Sequence, residues 1–261
     1  MKHPLVLDPA GRKPGGETPL ICTPLIGRSK ERLLGELATI LRKKPDMLEW
    51  RVDCFDAVAD TAAVLDAAVA LRAAAAGLPM IFTCRSAGEG GQPTALDETG
   101  VVALLEAVCE GGLAECIDFE LGNSPAHVRR VREFSRKADV SLILSYHQTS
   151  YTPGQEFLID RFLEAEHLGA DVAMVQVRPR DRADVLRLLA ATSEADAKTR
   201  IPLICSAIGP LGSVSRMVGG LFGSCLTFAV GEHSSAPGQI PVGDLVSVFD
   251  VIRRARGGEM F

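Results

Sequence analysis

The chain has 261 residues, is 47% hydrophobic and 23% charged, and carries a net charge of −5. That length allows one large domain or two small ones, and the acidic balance with interspersed signs argues against a general nucleic-acid binder. No stretch is long and apolar enough to span a bilayer, and Pro4, Asp8 and Pro9 interrupt the run that a signal peptide needs, so a soluble cytoplasmic protein with no membrane partner is expected.

Glycines and prolines between 9 and 19 predict a loose lead-in over residues 1–19. From residue 20 onward, short β-type runs at 20–23, 47–52, 80–84, 116–121, 141–146, 172–177, 203–205 and 225–228 alternate with longer apolar-periodic stretches. Those stretches lie at 31–42, 62–76, 100–109, 126–137, 156–168, 182–193, 214–222 and 242–254. A helix between successive strands makes the strands parallel and buried on both faces. Eight such units predict an α/β fold, a single-domain (β/α)8 TIM barrel over residues 20–261. A doubly wound open sheet competes, but it announces itself by a Gly-rich phosphate turn after its first strand. Pro24-Leu-Ile-Gly27 is no such turn. Gly219-Gly-Leu-Phe-Gly-Ser224 lacks dinucleotide or P-loop spacing and reads as close helix packing. The loops 86–100 and 231–240 follow strands, where a barrel places its site, and are lid candidates.

Seven cysteines (22, 54, 84, 109, 116, 205 and 225) form no Cys-x-x-Cys pair, and the five histidines lie far apart. They read as reduced thiols acting as small hydrophobes, and no metal site is implied.

Side-chain alternation locates the polar groups. Glu49 and Arg51 share one face of the second strand, and Asp118 and Glu120 share one face of the fourth. The third strand ends in Thr83-Cys-Arg85 with Glu89 beyond, and the fifth in Ser145-Tyr-His147. Arg216 follows the seventh, and Ser234-Ser-Ala-Pro-Gly-Gln239 follows the eighth. Singly, each has a structural explanation: a rim salt bridge for Arg85 with Glu89, a solvated helix residue for Arg216, a satisfied core imidazole for His147. Together they gather at the ends of several strands, where a barrel builds its site.

Six segments in order carry a resemblance. They are Leu48-Glu-Trp-Arg-Val-Asp53, Phe82-Thr-Cys-Arg-Ser-Ala-Gly-Glu-Gly-Gly91, Ile117-Asp-Phe-Glu-Leu121, Leu144-Ser-Tyr-His147 with Thr152-Pro153, Val214-Ser-Arg216 with Phe222-Gly223, and Ser235-Ala-Pro-Gly-Gln-Ile240. From about residue 20 to the end the chain resembles the type I 3-dehydroquinate dehydratases, which dehydrate 3-dehydroquinate to 3-dehydroshikimate through a lysine imine in the shikimate pathway or in quinate catabolism. The resemblance implies His147 as general base and acid, with Glu89 beside it. It implies that Glu49, Arg51, Arg85, Arg216, Ser235 and Gln239 bind the substrate, with Thr23 at a family serine position. It implies an anionic cyclic hydroxy acid as ligand, no cofactor, and a homodimer.

At the position of the family's imine-forming lysine stands Met174, within Gly169-Ala-Asp-Val-Ala-Met-Val-Gln-Val-Arg-Pro179. A thioether forms no imine. Gln176 and Arg178 share Met174's face and are more polar than the family pattern implies there, and Gln148 also departs from it. Three readings stand: an introduced replacement in an ordinary dehydratase, a relative using His147 and the arginines for non-imine chemistry on a similar hydroxy acid, and a binder of such a ligand without turnover. Little or no dehydratase activity is expected of this chain.

Overall fold

Parallel strands cannot be joined by tight turns, so each strand here is returned to its start by a helix. The computed structural model describes residues 18–257; most of the expected lead-in over 1–19, with Lys2, His3 and Lys13, lies outside them. The order is β1 (Leu20–Leu25), α1 (Lys30–Leu41), β2 (Met47–Arg51), α2 (Thr61–Ala74), β3 (Met80–Thr83) and α3 (Glu98–Glu110). Then come β4 (Cys116–Glu120), α4 (Pro125–Lys137), β5 (Ser141–Gln148), α5 (Gln155–His167), β6 (Val172–Val177) and α6 (Arg182–Lys198). The chain continues with β7 (Leu203–Ala207), α7 (Ser213–Val218), β8 (Leu226–Val230), β9 (Ile240–Pro241) and α8 (Val242–Gly257).

Strands β1 to β7 pair in sequence order, all parallel, and β1 also pairs with β8. The ring closes at a parallel bridge between Leu203 and Ser224, where the Cys225 N–H donates to the Leu203 carbonyl at 2.7 Å. The result is the expected single-domain barrel. The two-residue strand β9 pairs with β8 and adds one strand to the eight expected.

Two apolar layers fill the molecule. Cys22, Met47, Ile81, Cys116, Ile143, Val172, Ile204 and Leu226, one from each barrel strand, meet inside the ring with Met174 and Phe228. A larger cluster around Trp50, Phe82, Phe119 and Phe162 fills the space between strands and helices. Alternation explains the division, since neighbouring residues on a strand point to opposite faces. All seven cysteines are free thiols, as their spacing implied. Helix starts are marked by side-chain caps, with Asp60 accepting from Ala62 and Ala63 N–H and Asp97 from Gly100 N–H.

The seventh unit departs from expectation. A single helix over 214–222 was expected, but α7 spans six residues and gives way to a 3-10 turn over Gly219–Phe222. The Gly-rich run does pack closely, though against other partners than a helix alone: a Cβ on Gly220 would lie 2.5 Å from Pro19 Cγ, before β1. The fifth strand is also longer than 141–146, running through His147 to Gln148. That places His147 on the strand itself.

Trp50, fully buried and edge-on to Phe55 and Phe82, anchors the outer layer. Trp50→Ala is expected to cost about 3–5 kcal/mol, read from the urea midpoint of unfolding; an unchanged midpoint would contradict this packing.

Candidate active site

The inward residues at the C-terminal ends of the strands enclose a cavity of about 190 Å³. Of the sequence-predicted residues, Glu49, Arg51, Arg85, Glu89, His147, Met174, Ser235 and Gln239 line it. Thr23 and Arg216 do not. Thr23 is fully buried with no hydrogen-bond partner for its hydroxyl, and Arg216 is 2% exposed. Arg216 is therefore no solvated helix residue. Its Nη1 donates to the carbonyl of Phe228, itself a lining residue, at 3.3 Å, and its Nε and Nη2 are buried without partners. Burial pushes this guanidinium down to about 10.

Arg85 is 4% exposed, so it is no rim residue either. A buried cation must be paired, and two residues of β4 pair it: Nη2 donates to Asp118 at 2.8 Å and Nη1 to Glu120 at 3.2 Å. Nη1 also donates to the Ser145 hydroxyl at 2.9 Å, while Glu89 stands farther off at 3.8 Å. Arg51 makes a bidentate pair with Asp53, at 2.8 and 2.7 Å. Two of the three arginines that the resemblance implies bind the substrate, Arg51 and Arg85, are thus already held by protein carboxylates. Glu49 accepts from the Thr83 hydroxyl at 2.9 Å, and burial raises its carboxyl above the usual range.

The loop after β3 brings Glu89 to His147. The Glu120 carboxylate accepts the Ser86 N–H at 2.8 Å, and Asp53 accepts the N–H groups of Arg85 and Gln92 at 3.2 and 3.0 Å. The loop folds so tightly that a Cβ on Gly91 would sit 2.1 Å from the Arg85 carbonyl oxygen. Glu89 Oε2 then accepts the backbone N–H of His147 at 3.0 Å and lies 2.8 Å from its Nδ1. In the tautomer whose Nδ1–H donates to this oxygen, Nε2 is left as the free basic nitrogen. Burial, with Arg85 and Arg51 nearby, holds the His147 imidazole well below its ordinary value, hence neutral. Burial, then Glu120, pushes Glu89 up to about 8.

The lid closes over these groups. Gln239 Oε1 accepts the Ser235 N–H at 2.9 Å, and its Nε2 donates to the Ser235 hydroxyl at 3.0 Å, so the two predicted binding residues satisfy each other. Gly238, at φ +84°, approaches so closely that a Cβ would lie 2.2 Å from the Gly209 carbonyl oxygen.

No lysine among the described residues lines the cavity. Among the described residues Lys30 pairs with Asp66, Lys198 with Glu194, and Lys43 donates to the Gly231 carbonyl. No group of three or more His, Cys, Asp or Glu among the described residues is placed to hold a metal ion. No helix among them is long and apolar enough to cross a membrane.

The sequence model of the type I 3-dehydroquinases matches residues 21–256. The chain belongs to this family. It is 51% identical to the 3-dehydroquinate dehydratase of Albidiferax ferrireducens over 243 residues, 93% of this chain and 92% of that one. The crystal structure of 3-dehydroquinate dehydratase from Geobacillus kaustophilus superposes with a TM-score of 0.89 at 44% identity, covering 92% and 93% of the two chains. The type I enzyme of Clostridium difficile, solved with covalently modified comenic acid, superposes at 0.92 with 32% identity over 97% and 99%.

Within this type I 3-dehydroquinase framework, sequence reasoning missed Asp53, Thr149, Ile208 and Phe228. Asp53 had a signal, since it lies two residues beyond Arg51 in the same motif. Thr149, Ile208 and Phe228 reach the cavity only through the closure of the barrel, and no local pattern marks them.

Glu89 supplies a pH test. Its folded carboxyl titrates near 8 against an ordinary 4.5, so the folded state keeps a proton that the unfolded chain releases. Its stabilising contribution is complete below the unfolded value and is lost as pH rises through the folded one. Glu89→Gln cannot ionise and is expected to gain on the parent chain in denaturant midpoint between about pH 5 and pH 9. A pH-independent difference would overturn the assignment.

Proposed function

We propose that the cavity binds 3-dehydroquinate or a closely related cyclic hydroxy acid, and that this chain dehydrates it weakly or not at all. The observation that carries the reading is the pairing of a Glu89–His147 acid–base couple with a cavity that no lysine among the described residues lines. In the family reaction, His147 Nε2 would take the proton beside the ketone and return it to the departing hydroxyl. Glu89 would hold the ring and its tautomer. Arg216, buried with two unpartnered nitrogens, suits a carboxylate, because a guanidinium fork pairs one bidentately. Glu49, Ser235 and Gln239 would receive ligand hydroxyls, the last two by exchanging their mutual hydrogen bonds. Thr23 would add a hydroxyl below them.

What the site lacks is an electron sink. An imine draws the developing carbanion charge onto a cationic nitrogen, and the Met174 thioether offers nothing comparable. Deleting one member of a catalytic unit lowers the rate on the order of a thousandfold or more. A second reading, a non-imine enzyme or a pure binder for another hydroxy acid, is favoured by Gln176 and Arg178, both of which line the cavity.

The test is turnover of 3-dehydroquinate, followed through the conjugated enone absorbance of the product. The expected result is negligible turnover by this chain, gain of activity by Met174→Lys, and its loss again when His147→Ala is added. Turnover by the parent chain comparable to that of a lysine-bearing relative would overturn the proposal.

A further inference from the structure

We propose that Arg178, with Gln176 beside it, forms a second anion subsite, so that the cavity selects a dianionic cyclic hydroxy acid over a mono-acid. The proposal rests on the second reading of the cavity given above, another hydroxy acid, because 3-dehydroquinate carries a single carboxylate, and it names the class of that other ligand. Three arginines line the cavity. Arg51 is neutralised by Asp53, and Arg85 by Asp118 and Glu120. Arg178 has no acidic partner among the described residues. Only its Nε is engaged, donating to the Thr149 carbonyl, which leaves both terminal nitrogens for a ligand.

The group is also held in place. The Arg178 N–H donates to the Tyr151 carbonyl at 3.3 Å, and its own carbonyl accepts the Thr152 hydroxyl at 3.0 Å. Pro179 follows and restricts the Arg178 backbone to extended conformations. A cation fixed before binding spends little ordering entropy when it pairs.

Its neighbours are donors too. Residues 174, 176 and 178 alternate onto the inner side of the barrel, and the β6–β7 register sets Ser206 beside Gln176. The Gln176 amide lines the cavity with no hydrogen-bond partner among the described residues, and the Ser206 hydroxyl is buried without one. A buried polar group left unpaired is costly, and an acidic oxygen at this wall would satisfy the Gln176 amide and the Arg178 guanidinium together, while Ser206 lies off the lining. With a first carboxylate on Arg216, the second acidic group, carboxylate or phosphate, falls to Arg178.

The experiment is calorimetric titration with two matched probes, cis-3-hydroxycyclohexane-1-carboxylate and cis-cyclohexane-1,3-dicarboxylate. The dicarboxylate is expected to bind at least about tenfold more tightly, since one charge-assisted pair contributes that much. Arg178→Met should remove the preference while leaving the mono-acid Kd within about twofold, and Arg178→Lys should keep part of it. Equal binding of the two probes by the parent chain would overturn the second subsite alone. Equal weakening of both probes by Arg178→Met would do the same, since Arg178 would then hold the only carboxylate. If neither probe nor 3-dehydroquinate binds, the functional reading falls as well.

Discussion

The site depends on the buried cation of Arg85. A guanidinium taken out of water is tolerated only with close counter-charges, and removing a partner from such a group commonly costs about 3–5 kcal/mol. The counter-charges here come from alternate residues of one strand, Asp118 and Glu120, with the Ser145 hydroxyl of the next strand between them. This network ties together the ends of β3, β4 and β5. Because Glu120 also accepts the Ser86 N–H, the same charge cluster aims the loop that delivers Glu89. The Glu89–His147 pair is therefore positioned by the ion pairs of Arg85.

The distribution of charge around the cavity follows from that constraint. Arg51 and Arg85 lie on the lining but are occupied, which leaves Arg178 as the lining cation with no acidic partner among the described residues, while Arg216 stands off the lining with two nitrogens unpartnered among them. Their setting differs. Arg216 is enclosed and destabilised as a cation by burial, and an anion would relieve that directly. Met174 lines the same cavity as part of the apolar layer with Ile204 and Phe228, only 5% exposed. It seals the barrel interior where the cavity begins, and it brings no charge or nucleophile of its own.

Much of this was legible in the sequence, for a physical reason. Parallel strands buried on both faces and joined by amphipathic helices leave a strong alternating pattern, and eight repeats of it define a closed barrel. Motif order located Glu49, Arg51, Arg85, Glu89, His147, Ser235 and Gln239 at the cavity. What the sequence did not convey was partnership. Whether Arg85 faces a ligand or a pair of carboxylates depends on the inter-strand register between β3 and β4, which no local pattern encodes. The same holds for Gln239, which turns out to be bonded to Ser235, and for Arg216, whose place behind the cavity wall is set by the short α7. In the 3-10 turn where that helix gives way, Gly220 packs closely against Pro19, a residue far away in the chain.

On the proposed function, this site holds an acid–base couple without an imine-forming amine. Reductive trapping tests it most directly: the chain is incubated with 3-dehydroquinate, treated with borohydride, and its intact mass is measured. An imine would be reduced to a stable secondary amine carrying the ligand carbon skeleton. The predicted result is an unmodified mass for this chain and a trapped adduct for Met174→Lys. An adduct on the parent chain would show that another amine reaches the ketone, and the claim would fail.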